Sequence, residues 1–173
     1  ESPYNPVRNV EPRAKARERL CDIAATELLM PEGVFSRYLS QSGVSVSSIE
    51  DLAHTFGVSI PAAAFRIAEV SSKPCATLRW EPRLIAGIKT LKLAGCIGPG
   101  ISLRNADRCV PTNNTVRYTS TSSLHRAFKE VAIFKSCLQF RYGGVDKRLV
   151  TESKVFGYGD NIYVISLAFP EGE

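Results

Sequence analysis

Histidine is scarce in this sequence, and its scarcity excludes one common kind of metal site. The 173 residues contain two histidines, His54 and His125, which lie too far apart to share a helical turn. The H-E-x-x-H motif, in which two histidines one turn apart bind zinc and the glutamate acts as general base, is therefore absent from these residues. The five cysteines are odd in number and form no C-x-x-C pair, so neither a zinc ribbon nor a dithiol redox motif is indicated.

Long hydrophobic runs and a signal-peptide core are also missing. No apolar stretch approaches the roughly 18 residues that cross a bilayer. We therefore predict a cytoplasmic protein with no membrane contact, whose cysteines are reduced thiols. Because the first residue is Glu1 rather than methionine, we expect that further residues precede it in the natural protein.

The composition suits a folded protein rather than a disordered one. Apolar residues make up 44% of the chain and the formal net charge is +5, which fits one larger or two small globular domains. The basic residues are scattered along the chain. The charge is therefore compatible with a nucleic acid or an acidic partner without identifying either.

A long helix is predicted after a proline-rich lead-in. Glu11 and Pro12 supply the first turn, and no glycine or proline follows until Pro31 and Gly33, which should end the helix. Cys21 is predicted to be a small buried residue of this helix rather than a residue that approaches a metal. An apolar stripe with helical spacing is predicted to face a core, and it consists of Leu20, Ile23, Ala24 and Leu28.

Two shorter helices joined by a tight turn are predicted next, over VSVSSIEDLAHTFGVSIPAAAFRIAEV. Ser47 or Ser48 can cap the first helix, and Gly57 ends it at the position where a left-handed residue is usual. Ser59 can cap the second helix, with Pro61 in its first turn. This arrangement indicates a helix-turn-helix unit.

From about residue 73 the composition favours β-structure. SLHRAFKE is predicted to be a helix among strands, and aromatic residues such as Trp80, Tyr158 and Tyr163 are core candidates. The predicted strands are rich in β-branched and aromatic residues: CATLRW, LIAGIKTLKL, VAIFKSCLQFRY, RLVTESKVFGYG and NIYVISLAF. The predicted fold class is therefore α+β.

The stretch from Glu18 to Pro31, ERLCDIAATELLMP, is the most informative for function. It resembles the E-x-x-(A/C)-(N/D)-x-x-A-x-E-L-L-M-P stretch of the ImmA/IrrE zinc metallo-endopeptidases. The F-x-V-S segment and the arginine-bearing small-residue helix after it also resemble that family, so the resemblance covers roughly residues 13–70. In the family the H-E-x-x-H helix lies upstream, and the glutamate that opens this stretch is the third zinc ligand.

The resemblance implies that Glu18 is a metal ligand and that zinc is the cofactor. Catalytic zinc takes three protein ligands and activates a water molecule in the fourth position. Asp22, one turn after Glu18, is a candidate to orient the ligands, with a plain surface carboxylate as the alternative. For Glu18 the alternative is a solvated carboxylate paired with nearby bases. His54 and His125 are predicted to be helix-surface residues rather than ligands.

The second helix of the helix-turn-helix unit presents Ser59 and Arg66 as candidates for binding DNA or a protein partner. This helix is rich in alanine and lacks asparagine and glutamine, the side chains that read base edges together with arginine. We therefore favour a structural or substrate-docking role for it over DNA reading.

Three regions are predicted: the end of a metallopeptidase domain at 1–32, a helix-turn-helix-like unit at 33–72, and a strand-rich α+β domain at 73–173. The resemblance fades after about Pro82. Some relatives, the radiation-response regulators among them, resemble a peptidase and helix-turn-helix unit followed by a GAF-like sensor domain. The GAF-like assignment of the third region rests on that analogy alone.

The leading hypothesis is that the intact protein resembles zinc endopeptidases that cleave a helix-turn-helix repressor during stress response or mobile-element induction. Without H-E-x-x-H, the 173 residues alone are not expected to hydrolyse a peptide. The alternative is a non-catalytic regulator that binds DNA or a repressor protein. In a third hypothesis the strand-rich region binds a small-molecule effector and the helices transmit the signal.

Overall fold

The computed structural model describes residues 12–85, 88–98, 115–117, 133–142 and 145–170. Within these residues four helices precede six strands, which confirms the α+β class. The helices are α1 (Pro12–Leu29), α2 (Glu32–Ser42), α3 (Val46–Phe56) and α4 (Ile60–Val70). The strands are β1 (Ala76–Ile85), β2 (Ile88–Ile97), β3 (Thr115–Arg117), β4 (Phe134–Tyr142), β5 (Val145–Phe156) and β6 (Tyr163–Pro170).

The described strands form one sheet in the order β3-β2-β1-β6-β5-β4. Each neighbouring pair is antiparallel; four pairs join described strands that are consecutive in the chain, and the fifth, β1–β6, joins the first described strand to the last. All five predicted strand segments contain a strand, whereas the short β3 was not predicted. The predicted helix SLHRAFKE, with His125, lies outside the described residues.

Helices α2–α4 pack on one face of the sheet. The core between them is a cluster of buried apolar side chains that includes Phe35 from α2, Ile49 from α3, Ile67 from α4 and Ile165 from β6. Polar contacts join the same layers: the Thr77 hydroxyl on β1 donates to the Ala64 carbonyl on α4 over 2.6 Å. The helices and the sheet therefore share one core on this face.

A second cluster lies on the other face of the sheet. It includes Trp80, Leu91 and Val164. The Trp80 indole nitrogen donates to the Ser166 hydroxyl over 3.0 Å, and the Ser153 hydroxyl lies 2.7 Å from that of Ser166. The buried Ser166 hydroxyl therefore satisfies the indole N–H of Trp80, which burial of a tryptophan requires.

The helix-turn-helix geometry follows from its end residues. Gly57 ends α3 at φ 62° in the left-handed region, and the Ser59 hydroxyl at the start of α4 accepts from the Ala62 N–H over 3.3 Å, so both predictions are confirmed. The predicted cap of α3 was wrong. Ser45 caps it and forms a capping box with Ser48, because Ser45 has the extended backbone that a cap needs.

The end of α1 also differs in detail from the prediction. The helix stops before Pro31, as predicted, but Gly33 does not act as a stop because it lies in the first turn of α2. Helix α2 begins immediately after Pro31, and the Phe35 N–H bonds to the Pro31 carbonyl over 2.8 Å. No helix in the described part of the chain has the length and apolar character to span a membrane.

Candidate metal ligand and groove on the first helix

Helix α1 carries the two candidate metal-site residues on its solvent side. Glu18 and Asp22 are one helical turn apart, and both are exposed. Residues four apart share a helix face, so their carboxylates can serve one site. Within the described residues, no three or more histidine, cysteine, aspartate or glutamate side chains gather closely enough to hold a metal ion. The described donors therefore do not make a complete zinc site.

The apolar stripe of α1 is exposed, so its prediction as core was wrong. Leu20 is 67% exposed, Ile23 51% and Leu28 82%. Ala24 and Cys21 are exposed as well, which also contradicts the buried role predicted for Cys21. The physical reason is that no described element packs along the length of α1. Helical periodicity predicts that a face is apolar, but not which element covers it.

The C-terminal end of α1 is held by Arg66 of α4. The Arg66 Nε donates to the Met30 carbonyl over 3.1 Å, while its terminal nitrogens pair with Glu69, over 3.2 Å, and with Glu27. The Arg66 side chain is only 7% exposed, whereas that of Glu27 is 48% exposed. Arg66 thus uses its N–H donors to join the end of α1 to α4, and the forked guanidinium group suits several acceptors at once.

This pairing changes the electrostatics of Glu27. The hydrogen bond from Arg66 holds the pKa of the Glu27 carboxyl below its ordinary value of 4.5, against a smaller opposing effect of desolvation. The Glu27 carboxylate also accepts from the Glu32 N–H at the start of α2, over 3.3 Å. An acid at a helix N-terminus is favoured by the helix dipole. Glu27 therefore contacts the first residue of α2 and the Arg66 side chain of α4.

A cleft of about 1090 Å³ lies between α1, α4 and the end of β2. Arg19, Asp22, Ile23 and Leu29 line it from α1. Glu18 is not among the lining residues, but it precedes Asp22 by one turn on the same side of the helix. The cleft thus reaches Asp22, one helical turn from the candidate metal ligand.

The other sequence candidates lie at defined positions. Ser59 lines the cleft and caps α4, while Arg66 lies at its inner end and is engaged by the contacts above. His54 is exposed on α3, at the surface position that the sequence predicts. Trp80 is fully buried and Tyr163 is half-buried, whereas Tyr158 is 88% exposed, so its prediction as core was wrong. Tyr158 lies outside the strands, next to the turn at Gly159–Asn161.

Sequence reasoning missed Glu27 as the partner of Arg66. Both residues belong to the stretches that carry the family resemblance, but they are 39 positions apart. The usable signal was an acidic residue at the end of a long helix together with an arginine in a largely apolar one. Such a pair can be proposed from sequence only once the two helices are known to meet.

Comparison with known families supports a relationship of the helical part to the ImmA/IrrE metallopeptidases. Residues 5–68 match the family model described as Peptidase_M78, IrrE N-terminal-like domain. The matched residues include Glu18 and Asp22, all of α2 and α3, and most of α4. No curated protein matches the chain. The family consists of zinc metallopeptidases, so hydrolase chemistry is the class that this match supports.

Proposed function

We propose that the chain contributes one zinc ligand, Glu18, to a zinc-dependent endopeptidase that cleaves a helix-turn-helix transcriptional repressor. The observation that carries this proposal is the family match over residues 5–68, which includes the Glu18 helix. The exposed position of Glu18 supports it, because a ligand must be open to the metal and to the other donors. Asp22, one turn away, would orient the metal ligands.

The remaining zinc ligands would come from outside the described residues, because no cluster among those residues supplies them. A catalytic zinc ion held there would lower the pKa of a bound water molecule and polarise the peptide carbonyl. What the present residues contribute is one carboxylate on a helix whose far end is anchored by Arg66. Anchoring matters because a metal site tolerates little displacement of a ligand.

The test is the zinc content of the protein at the length encoded by its gene, measured by mass spectrometry of the metal alongside intact mass. We expect about one zinc per chain, as a single catalytic site requires, and its loss in Glu18→Ala. Asp51→Ala is the matched control, since Asp51 is an exposed acid on α3, away from α1. A protein without zinc, or one whose zinc survives Glu18→Ala, contradicts the proposal.

Cleavage of a repressor is the second step of the same test. The zinc-loaded protein is incubated with candidate helix-turn-helix repressors, and the fragments are identified by mass. If zinc binds but no repressor is cut, the endopeptidase class is retained and the substrate proposal fails. If no zinc binds, the non-catalytic alternative, a regulator that binds a repressor protein, takes its place.

The GAF-like fold and small-molecule effector predicted for residues 73–173 stay predictions. So do the boundaries predicted at residues 32 and 72. Any sensing mechanism here would have to act through this sheet and the core that it shares with α2–α4.

A further inference from the structure

The cleft between α1 and α4, which we term the α1–α4 groove, has an apolar interior that is open to solvent. On the α1 side Ile23 and Leu29 are 51% and 56% exposed. On the opposite side Val58, Phe65 and Ile97 are half-buried and line the groove from the turn before α4, from α4 and from β2. A concave surface with exposed apolar side chains on one side and half-buried ones on the other is a common form of interaction site.

Charge distinguishes the groove from the rest of the chain. Its lining contains four carboxylates and two guanidinium groups, an excess of two negative charges, whereas the chain carries +5 overall. Arg66 is already paired with Glu27 and Glu69. Asp22 and Glu32 take part in no ion pair within the described residues, so their charges are available to a partner.

The volume of the groove is close to that of a short helix. A helix about 10 Å wide that rises about 1.5 Å per residue occupies roughly 120 Å³ per residue. The groove volume of about 1090 Å³ therefore accommodates on the order of nine residues, or two to three turns. A helix laid in a groove presents apolar residues at i, i+3, i+4 and i+7 to the walls.

We propose that the α1–α4 groove binds an amphipathic helical segment of a protein partner, with its apolar face inward and lysine or arginine residues facing Asp22 and Glu32. The negative excess disfavours a nucleic acid as the occupant, because phosphates would meet carboxylates. Under the proposed function this segment would be a docking element of the substrate, since Glu18 lies one turn from Asp22. Binding itself does not require zinc.

Fluorescence anisotropy with designed peptides tests this proposal on the 173-residue chain. The probe is a labelled peptide of about 14 residues, which is close to four helical turns, with leucine at i, i+3, i+4 and i+7 and lysine on its flank. A second peptide has glutamate in place of lysine, and a third contains the residues of the first peptide in scrambled order. We expect saturable binding of the lysine peptide, weaker binding of the glutamate peptide and none of the scrambled one.

Charge reversal in the groove separates a specific site from a loss of folding. In the double variant Asp22→Lys with Glu32→Lys, we expect the lysine peptide to bind about tenfold more weakly, in line with two partly exposed ion pairs, and the glutamate peptide to bind more tightly. A misfolded variant would lose both peptides. Asp51→Lys is the matched control and should leave both affinities unchanged, because Asp51 lies on α3 outside the groove.

Two results would overturn the proposal. One is the absence of saturable binding up to a peptide concentration of about 100 μM, because a dissociation constant above that value is too weak for a functional docking site of this class. The other is a concentration-dependent dimer in sedimentation that Ile23→Ser abolishes, which would assign the groove to a second copy of the chain. Glu18→Ala should leave peptide binding intact. Loss of zinc binding and loss of peptide binding can therefore be distinguished.

Discussion

Arg66 shows how much one buried cation contributes to the placement of the first helix. Its three contacts, with Met30, Glu27 and Glu69, are made by a side chain that is almost fully removed from water. Removing such a group leaves the Met30 carbonyl unpaired and opens space beside α1. The exposed apolar surface of α1 gives no compensating packing in the described residues.

We predict that Arg66→Ala lowers the free energy of unfolding by about 1–3 kcal/mol, the cost of leaving a buried hydrogen-bonding group without its partner. Arg66→Met should cost less, because it keeps the packing of the alkyl chain and removes the charge that needs partners. Urea unfolding followed by circular dichroism measures both. Equal losses for the two variants would show that packing volume is unimportant here.

Glu27 should give the stability a pH dependence of known sign. Its pKa is lowered in the folded state by the hydrogen bond from Arg66, so its contribution is present above the ordinary value of 4.5. That contribution is lost as the pH falls through the lowered folded value. Comparing urea midpoints between pH 7 and pH 3, we expect Glu27→Gln to show a shallower acid decline than the wild type. Parallel declines would remove Glu27 as a cause.

At the scale of elements, sequence patterns predicted the turn and the cap between α3 and α4 well because their determinants are local. Gly57 and Ser59 act through their own backbone and one neighbouring N–H. The exposure of the apolar face of α1 and the partner of Arg66 could not be predicted, because each depends on contacts between elements far apart in the chain. The exposed Leu28 illustrates an error about tertiary contacts, and the cap placed at Ser47 or Ser48 instead of Ser45 illustrates a local error of two or three positions.

Two glycines with positive φ offer a matched comparison of strain and steric clash. At Gly57, with φ 62°, a Cβ would meet nothing within 4 Å. At Gly157, with φ 81°, a Cβ would lie 2.2 Å from the Asn161 carbonyl oxygen, inside the turn between β5 and β6. The first position therefore has a conformational cost alone, while the second adds a collision with backbone.

We predict that Gly57→Ala lowers the free energy of unfolding by about 1–2 kcal/mol, the cost of a left-handed residue with a side chain. Gly157→Ala should cost clearly more, because the turn must shift before β5 and β6 can keep their pairing. Thermal and urea unfolding of the two variants, with Ser72→Ala as an exposed control, measure the difference. A smaller loss for Gly157→Ala would mean that the turn has another accessible conformation.

At the scale of the whole molecule, the two sides of the sheet carry separate apolar clusters, and each contains one buried cysteine. Cys75 belongs to the cluster shared by the helices and the sheet, and Cys96 to the cluster on the opposite face. Burial raises the pKa of the Cys75 thiol, so this residue should react slowly for two reasons: poor access and little thiolate. Cys21 and Cys137 are exposed and should react at once.

These cysteines can test whether residues 33–72 and 73–173 unfold as separate units. Because helix and sheet residues share the cluster around Cys75, we predict that Cys75 and Cys96 become accessible at the same urea concentration. The measurement is pulsed iodoacetamide labelling read by peptide mass spectrometry, with each rate divided by that of the fully unfolded chain, which removes differences in intrinsic reactivity. Labelling of Cys75 at lower urea than Cys96 would mean that the helices leave the sheet first, as independent units should. A single midpoint would show instead that α4 and the sheet unfold as one cooperative structure.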